Sequence, residues 1–277
     1  MNVLVVKKPI KYYERYSGTD KKTIDFINKF PEKEKIARIS RDKQNETYSV
    51  IIDSLENVGH KYDVVERKDL TQIMDYDLIV VEGGDGTVLT TAHHNKNVPI
   101  LGVNNDEENS VGFYCAANLN NFQYFLENVE AIPKTEVNRL EMVLNGRKIV
   151  SALNDAYISL ERQHGICNYK IETKEYSKEY KNSGLLMATF TGRFARMKKV
   201  IGSVIKTNKD NIQYTPIEDE EKTYGFSYHI KITSMRDNNL ISIDGCHNSF
   251  SFNRNDVLEV RLGEPLKFIG DLTSKFN

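Results

Sequence analysis

The segment with the clearest chemical pattern is a glycine-rich loop around a single aspartate. The apolar run Leu78–Val81 leads through Glu82 into Gly83-Gly84-Asp85-Gly86-Thr87, where a helix is predicted to begin. Glycines after a buried strand let backbone N–H groups approach a phosphate, and a helix N-terminus adds a favourable dipole. A carboxylate there repels phosphate unless it has a role, such as holding Mg²⁺ or accepting a proton from an attacking hydroxyl. We therefore expect phosphate chemistry at this loop rather than a simple turn.

Two common phosphate motifs do not fit this loop. The P-loop needs a lysine followed by serine or threonine after its last glycine, and no lysine follows Gly86. The dinucleotide fingerprint needs a third glycine three residues after Gly86, where Leu89 stands. The loop therefore belongs to another phosphate-binding class.

The loop resembles the signature shared by NAD kinases, diacylglycerol kinases and sphingosine kinases, with a related form in phosphofructokinases. Further segments resemble NAD kinases in the same order along the chain. These are Leu101-Gly102-Val103-Asn104, Gly112-Phe113-Tyr114, Ala152-Leu153-Asn154-Asp155, Ser183-Gly184-Leu185 with Thr189 and Thr191-Gly192, and Ile243-Asp244-Gly245. The insert Asp106–Ser110 and the serine at position 183 are most similar to the mitochondrial-type branch of NAD kinases.

The resemblance implies a reaction and a set of site residues. NAD kinases transfer the γ-phosphoryl group of ATP, or of polyphosphate in some members, to the adenosine ribose 2′-hydroxyl of NAD, giving NADP, and Mg²⁺ would arrive with ATP. Asp85 would be the general base. The phosphate-binding residues would be Gly83, Gly84, Gly86 and Thr87. The NAD-binding residues would be Asp85, Gly86, Phe113, Tyr114, Asn154, Asp155, Thr191 and Ala195.

The second glycine loop, residues 188–196, departs from the family pattern. Its Ser, Pro and Tyr positions are lost, and Arg193 and Arg196 appear, followed by Lys198 and Lys199. These cations would either bind a phosphate or form a solvated basic face. Two alternatives to an NAD kinase remain: a lipid kinase of the diacylglycerol or sphingosine type, and a catalytically weak dinucleotide-binding regulator.

The first half of the chain alternates between strand and helix patterns, which is typical of a parallel α/β domain. Predicted strands are Val3–Val6, a short piece at Val64-Val65, Leu78–Val81 and Pro99–Val103. Predicted helices are Glu46–Val58 with Asn45 as its cap and Gly59 as its stop, Thr87–His94 and Leu119–Val129.

The second half alternates apolar and polar residues with a period of two, which predicts an antiparallel β-rich domain. Examples are Leu140, Met142 and Leu144 before an Asn145-Gly146 turn, and Tyr228, Ile230 and Ile232 further on. We expect an α/β nucleotide-binding domain at 1–138 and a β-rich dinucleotide-binding domain at 139–265. The resemblance adds that the segment 266–277 packs back on the first domain.

The composition limits the class of protein. The 277 residues carry 38 Lys and Arg against 39 Asp and Glu, which argues against a nucleic-acid binder. No apolar run approaches the ~20 residues needed to cross a bilayer. Three cysteines suggest a reducing compartment, so we predict a cytoplasmic protein without membrane partners. The resemblance implies a homodimer or homotetramer.

We predict no metal site built from the protein alone. His93 and His94 are adjacent and would point to different faces of a helix. Asp244, Cys246 and His247 approach a ligand cluster but lack the spacing of a metal site.

Overall fold

The computed structural model describes residues 1–9, 21–162, 165–219, 223–245 and 248–276. The chain divides into two compact units. Unit 1 contains Met1–Glu136 and Leu266–Asn277, and unit 2 contains Val137–Pro265. Cys246 and His247 lie outside the described residues, so their arrangement is not described. In the part of the chain that is described, no helix combines the length and apolar character that a membrane span requires.

Unit 1 contains a parallel sheet with helices between its strands. The strands are β1 Asn2–Lys7, β2 Lys61–Glu66, β3 Leu78–Glu82, β4 Ile100–Asn104 and β5 Cys115–Asn118. The helices are α1 Lys21–Lys29, α2 Pro31–Val58, α3 Asp85–His94 and α4 Phe122–Glu127, with short 3-10 turns at Arg67–Asp69 and Thr273–Phe276. The strands β6 Lys134–Leu144 and β17 Val257–Ile269 have residues in both units.

The strand order in unit 1 is β2-β1-β3-β4-β5, and every pair is parallel. All five residues of β3 and of β4 are buried, as expected for central strands covered on both faces. Apolar side chains of the strands pack against Ile51 and Leu55 of α2 and Phe122 and Leu126 of α4. In this strand order, ligands bind beyond the carboxyl ends of β1 and β3, where the connections change sides.

The prediction that Asn45 caps a helix is wrong. Helix α2 begins at Pro31 and runs through Asn45 to Val58, where Gly59 ends it in the left-handed conformation. The first half was missed because it has no buried apolar face: Ile36 and Ile39 are 60% and 45% exposed. Proline at the first position, followed by acidic residues in the first turn, supplies the start signal instead.

The other elements of unit 1 differ from prediction mainly at their ends. Helix α3 begins at Asp85, two residues before the predicted Thr87, so the loop aspartate is itself in the first helical turn. Helix α4 is shorter than predicted, covering Phe122–Glu127. Strand β5 was not predicted, since its sequence Cys-Ala-Ala-Asn carries little β-branched or aromatic character.

Unit 2 consists of two sheets that share one core. Its strands are β6, β7 Arg147–Lys148, β8 Asp155–Leu160, β9 Cys167–Glu172, β10 Ser177–Asn182, β11 Gly184–Ala188, β12 Ile212–Ile217, β13 Gly225–Ser227, β14 His229–Ser234, β15 Asn239–Ile243, β16 Asn248–Phe252 and β17. A 3-10 turn at Gly192–Phe194 and helix α5 Arg196–Ile201 follow β11. One sheet has the antiparallel order β13-β12-β11-β8-β15-β16, and β9 pairs with β10 and β14 in the other.

The core of unit 2 lies between these sheets. Ile158 of β8 and Ile241 of β15 contribute from one sheet, and Ile171 of β9 and Ile230 of β14 contribute from the other. The predicted inward position of Tyr228 is wrong. It lies at the bend between β13 and β14 and is 69% exposed, because the alternation breaks where the chain leaves one strand for the next. Together the units confirm the predicted fold class, an α/β domain followed by an antiparallel β-rich domain.

Candidate functional site

The glycine loop lies at the carboxyl end of β3, next to the end of β1. Gly83 has φ +138, and a side chain at Gly83 would bring its Cβ within 2.8 Å of Thr87 Oγ1 and 3.2 Å of Lys8 Cβ. A Cβ at Gly84 would lie 2.5 Å from Ser110 Oγ. Position 83 therefore requires glycine for both conformation and space, whereas at Gly84 the restriction is the close Ser110 side chain. The loop leads directly into α3, where Gly84 is the N-cap residue and its carbonyl oxygen accepts a hydrogen bond from Thr87 N–H at 2.9 Å.

The carboxylate of Asp85 is held by a backbone amide. Tyr114 N–H donates to Asp85 Oδ1 at 2.9 Å. The Tyr114 ring is 1% exposed and stacks on Phe268, with ring centroids 5.4 Å apart. The Phe113 ring stacks on Phe276 at 5.6 Å. The structure thus brings together the predicted loop and the predicted aromatic pair, but the Tyr114 side chain is core and its amide supplies the contact.

Two residues at this loop were missed by the sequence reasoning. The first is Arg67, at the end of β2, whose Nη1 lies 3.8 Å from the Cβ position of Gly86. Arg67 is partly exposed, and its guanidinium makes no hydrogen bond or ion pair with the described residues. An arginine following a strand end is common, so no sequence signal would have found it.

The second is Glu82, the last residue of β3, which is completely buried. Its carboxylate accepts hydrogen bonds from Lys8 N at 3.2 Å, from Gln44 Nε2 at 3.3 Å and from Asn105 Nδ2. Burial raises the pKa of Glu82 to about 7, although the Asn105 hydrogen bond opposes the shift. Glu82 thereby ties β1, α2 and the segment after β4 together below the glycine loop. The sequence signal that could have identified Glu82 is a glutamate at the end of an otherwise apolar strand.

In unit 2, Asp244 organises the Asn154-Asp155 pair. The Asp244 carboxylate accepts hydrogen bonds from Leu153 N at 2.7 Å, Asn154 N at 2.7 Å and Asp155 N at 3.0 Å. Asp244 N–H in turn donates to Asp155 O at 2.9 Å. The Asp-Gly turn therefore fixes the backbone that presents both side chains.

The second glycine loop packs against the same pair. Thr189 N–H donates to Asn154 O at 2.9 Å, and Thr189 Oγ1 lies 3.1 Å from Thr191 Oγ1. Gly192 approaches Asn154 so closely that a Cβ there would collide with the Asn154 carbonyl oxygen. The structure thus brings Asn154 and Asp155 next to the loop of Thr191 and Ala195.

Asp155 opens into a cavity of about 710 Å³ within unit 2, a size typical of small-molecule sites. The cavity lining includes Tyr157, Ser183, Arg196 and Glu218. Asp155 is only 6% exposed. Burial, followed by the charge of the nearby Asp244, raises the pKa of Asp155 to about 7, although Arg196 opposes the shift.

The four predicted cations occupy different environments. Arg193 is 7% exposed, and its guanidinium lies 3.9 Å from the Phe190 ring centroid and 4.6 Å from that of Phe194. Arg196 lies 4.1 Å from the Tyr157 ring centroid and lines the cavity. Lys198 and Lys199 are exposed on α5. The cluster therefore separates into a buried arginine, a cavity arginine and two solvated lysines.

Glu218, which follows β12, also belongs to this cavity. Ser183 Oγ donates to the Glu218 carboxylate, and both residues line the cavity. Among the described residues, no group of three or more His, Cys, Asp and Glu side chains is placed to hold a metal ion.

Comparisons with known proteins identify similar sequences. The family profile described as "ATP-NAD kinase N-terminal domain" matches residues 16–133. A probable NADH kinase of Oryza sativa subsp. japonica is 28% identical over 238 residues, covering 73% of this chain and 73% of that relative. An NAD kinase of Methanospirillum hungatei is 30% identical over 144 residues, covering 51% of this chain and 52% of that relative.

Solved structures share the fold. An NAD kinase from Archaeoglobus fulgidus, solved in complex with ATP, has a TM-score of 0.71 at 17% identity, covering 100% of this chain and 96% of the other. Yeast NADH kinase complexed with NADH also has a TM-score of 0.71, at 16% identity, covering 98% of this chain and 83% of the other.

Proposed function

The chain belongs to the NAD kinase family, and we propose that it uses ATP to phosphorylate the adenosine ribose 2′-hydroxyl of NAD or NADH. The observation that carries the proposal is the Asp85 carboxylate, held by Tyr114 N–H at 2.9 Å in the glycine loop at the N-terminus of α3. The names of the similar proteins favour a dinucleotide acceptor over a lipid. NADH is included because two plant relatives are named as NADH kinases.

In the proposed reaction, Asp85 is the general base. Tyr114 N–H engages Oδ1, and Oδ2 is the proposed acceptor for the ribose hydroxyl. As the ribose oxygen forms its bond to the γ-phosphorus, the bond from that phosphorus to the β,γ-bridging oxygen breaks and ADP leaves. The hydroxyl proton passes to Asp85. Because the transition state is loose, the main work of the carboxylate is to orient the hydroxyl and to accept the proton late.

The glycine loop is proposed to bind the phosphates of ATP. Gly84 and Gly86 would present backbone N–H groups to the phosphates, and the N-terminus of α3 favours negative charge. Gly83 N–H donates to Val103 O at 3.0 Å and Thr87 N–H donates to Gly84 O at 2.9 Å, so these two residues would shape the loop around the phosphates. Arg67, whose Nη1 lies 3.8 Å from the Cβ position of Gly86, would add a charge-assisted hydrogen-bond donor to a phosphate. Mg²⁺ would enter with ATP, bound mainly by phosphate oxygens and water, as is usual for this ion.

The dinucleotide is proposed to bind through Asn154, Asp155, Thr191 and Ala195. Asp155 lines a cavity and, with a pKa near 7, carries a proton in part of the population at neutral pH. It can therefore donate as well as accept hydrogen bonds with ribose hydroxyls. Arg196 in the same cavity supplies a positive charge suited to the dinucleotide diphosphate.

Phe113 is also proposed to contact the dinucleotide. Its ring is partly exposed and is fixed by stacking on Phe276, so it offers a flat apolar surface to a base. We further propose a cytoplasmic location, from the cysteine content, and a homodimer or homotetramer, by family resemblance.

The proposal is tested by incubating the purified protein with NAD or NADH, ATP and Mg²⁺, and measuring NADP or NADPH enzymatically. Asp85→Asn should lower kcat at least ~100-fold, while NAD affinity measured by calorimetry stays within about tenfold of the unmodified protein. Asp69→Asn, an exposed residue of the same unit, is the matched control and should leave both quantities unchanged.

Three outcomes would contradict the proposal. Absence of any NADP or NADPH from the unmodified protein would remove the proposed reaction. Unchanged turnover in Asp85→Asn would remove Asp85 from the mechanism. Phosphorylation of a diacylglycerol or sphingosine in preference to NAD would favour the alternative hypothesis of a lipid kinase.

A further inference from the structure

Lys275 contacts the turn that precedes β5. It lies in the 3-10 turn Thr273–Phe276, and its ammonium donates hydrogen bonds to Gly112 O at 2.5 Å and to Cys115 O at 2.7 Å. Lys275 is partly buried, so these two carbonyl oxygens receive a charged donor in a partly water-excluded place. Hydrogen bonds of this kind are stronger than those between neutral groups.

The two carbonyls are the first and last of a four-residue turn. Cys115 N–H donates to Gly112 O at 3.0 Å, which closes the turn. Gly112 has φ +56, and a Cβ there would lie 2.5 Å from Asn104 Nδ2, so this position requires glycine. Lys275 therefore bridges both ends of a tight turn that is packed against Asn104.

The same turn holds the Asp85 carboxylate. Its third residue, Tyr114, donates its backbone N–H to Asp85 Oδ1 at 2.9 Å. Phe276, the neighbour of Lys275, stacks on Phe113 with ring centroids 5.6 Å apart and an interplanar angle of 27°. A continuous set of contacts thus runs from residues 275–276 through the turn to the carboxylate.

We propose that Lys275 is a positioning residue for Asp85. By fixing the carbonyls at both ends of the turn, it sets the direction of the Tyr114 N–H bond, and that bond sets the orientation of the carboxylate. This inference rests on the proposed role of Asp85 as general base. It assigns to Lys275 no contact with ATP or with the dinucleotide.

The expected effect is on turnover more than on binding. A displacement of about 1 Å in a positioned catalytic group can lower a rate ~100-fold, because the reacting atoms leave their productive geometry. We therefore expect Lys275→Met to lower kcat ~10- to 100-fold, with KM for ATP and for NAD changed less than about threefold. Methionine retains much of the aliphatic volume and removes only the donors.

Two variants make the kinetic test specific. Lys275→Arg keeps a cation with several donors that can reach both carbonyls, so it should recover most of the turnover lost in Lys275→Met. Lys267→Met removes an exposed lysine from the same segment of unit 1 and should leave kcat unchanged. A purely structural role of the lysine stem would instead leave Lys275→Met active.

Hydrogen exchange supplies a readout that needs no activity. In the ligand-free protein, NMR should show the Tyr114 amide exchanging at least ~10-fold faster in Lys275→Met than in the unmodified protein. Lys267→Met should show no change at this amide. The exchange of amides in β3 should be equal in all three proteins, which would show that the unit remains folded.

The outcomes separate the two proposals. Faster Tyr114 exchange together with reduced kcat supports the role of Lys275. Unchanged exchange at Tyr114, or unchanged kcat in an active protein, overturns it. If the unmodified protein does not phosphorylate NAD or NADH while Tyr114 exchange responds to Lys275→Met, the proposed function fails and the link from Lys275 to the Asp85 carboxylate stands.

Discussion

Asp155→Asn is expected to stabilise unit 2 at neutral and alkaline pH while weakening dinucleotide binding. Asp155 is 6% exposed and lies near a second carboxylate, Asp244. Burial, followed by the Asp244 charge, raises its pKa from 3.8 to about 7. Between pH 3.8 and about pH 7, Asp155 is therefore protonated in the folded protein and ionised in the unfolded chain. Stability contributed by this group falls as pH rises through that window.

The magnitude follows from the two pKa values of Asp155. Compared with a neutral side chain, Asp155 lowers the free energy of unfolding by about 1 kcal/mol at pH 4.5 and by about 4 kcal/mol at pH 8. Asparagine has nearly the same shape and carries no charge, so it removes this cost. We expect Asp155→Asn to be more stable than the unmodified protein by roughly 2–4 kcal/mol at pH 8 and by no more than about 1 kcal/mol at pH 4.5.

Urea unfolding at pH 4.5, 6, 7 and 8 measures the effect. The chain has 15 tyrosines and no tryptophan, so tyrosine fluorescence and circular dichroism are suitable probes. Asp210→Asn, an exposed residue of the same unit, is the control and should show no pH-dependent difference in free energy of unfolding. Calorimetry with NAD should show weaker binding for Asp155→Asn alone.

The reasoning would be refuted by a stability difference that is independent of pH, or by an Asp155→Asn variant that is less stable at pH 8. Either result would mean that Asp155 is ionised in the folded protein at a pKa near its usual value. The predicted combination, a gain in stability with a loss of binding, is typical of a polar group retained for function.

Three further predictions concern other residues. Arg67→Gln should lower kcat/KM for ATP by about 10- to 100-fold because a charge-assisted phosphate contact is lost, whereas the exposed control Arg38→Gln should not change it in steady-state assays. Gly192→Ala should destabilise unit 2 by about 1–3 kcal/mol in thermal unfolding and weaken NAD binding, since the added Cβ collides with the Asn154 carbonyl; an unchanged melting temperature would contradict this. Glu82→Ala should destabilise unit 1 by about 1–3 kcal/mol in urea at pH 5. At this pH Glu82 is below its raised pKa, and its loss removes a buried acceptor from Gln44 and Asn105. Equal midpoints would show that the network contributes nothing.

The sequence by itself determined the fold class and identified the glycine loop at which we propose phosphate chemistry. Continuous apolar runs such as Leu78–Val81 specify strands covered on both faces, and alternation such as Ile230 and Ile232 specifies sheets with one buried face. The glycine loop is equally local, because three glycines around one carboxylate restrict the backbone whatever surrounds them. These features depend on residues close together in the chain.

The ends of helices were predicted less accurately from the sequence. Helix α2 continues 15 residues before the predicted start because its first half is exposed and carries no apolar stripe. Helix α3 begins at Asp85, since the loop glycine at position 84 already occupies the cap position. Such boundaries depend on how the chain enters the element, which local patterns specify weakly.

Only the tertiary structure decided how the site residues are held. The bond from Tyr114 N–H to Asp85 joins residues 29 positions apart, and the bond from Lys275 to Gly112 joins residues 163 positions apart. Asp244, which reads as a turn residue, is seen to fix the backbone at Asn154 about 90 positions away. Residue types and local spacing carry no information about such partners, because a hydrogen bond across the fold depends on the packing of whole elements against one another.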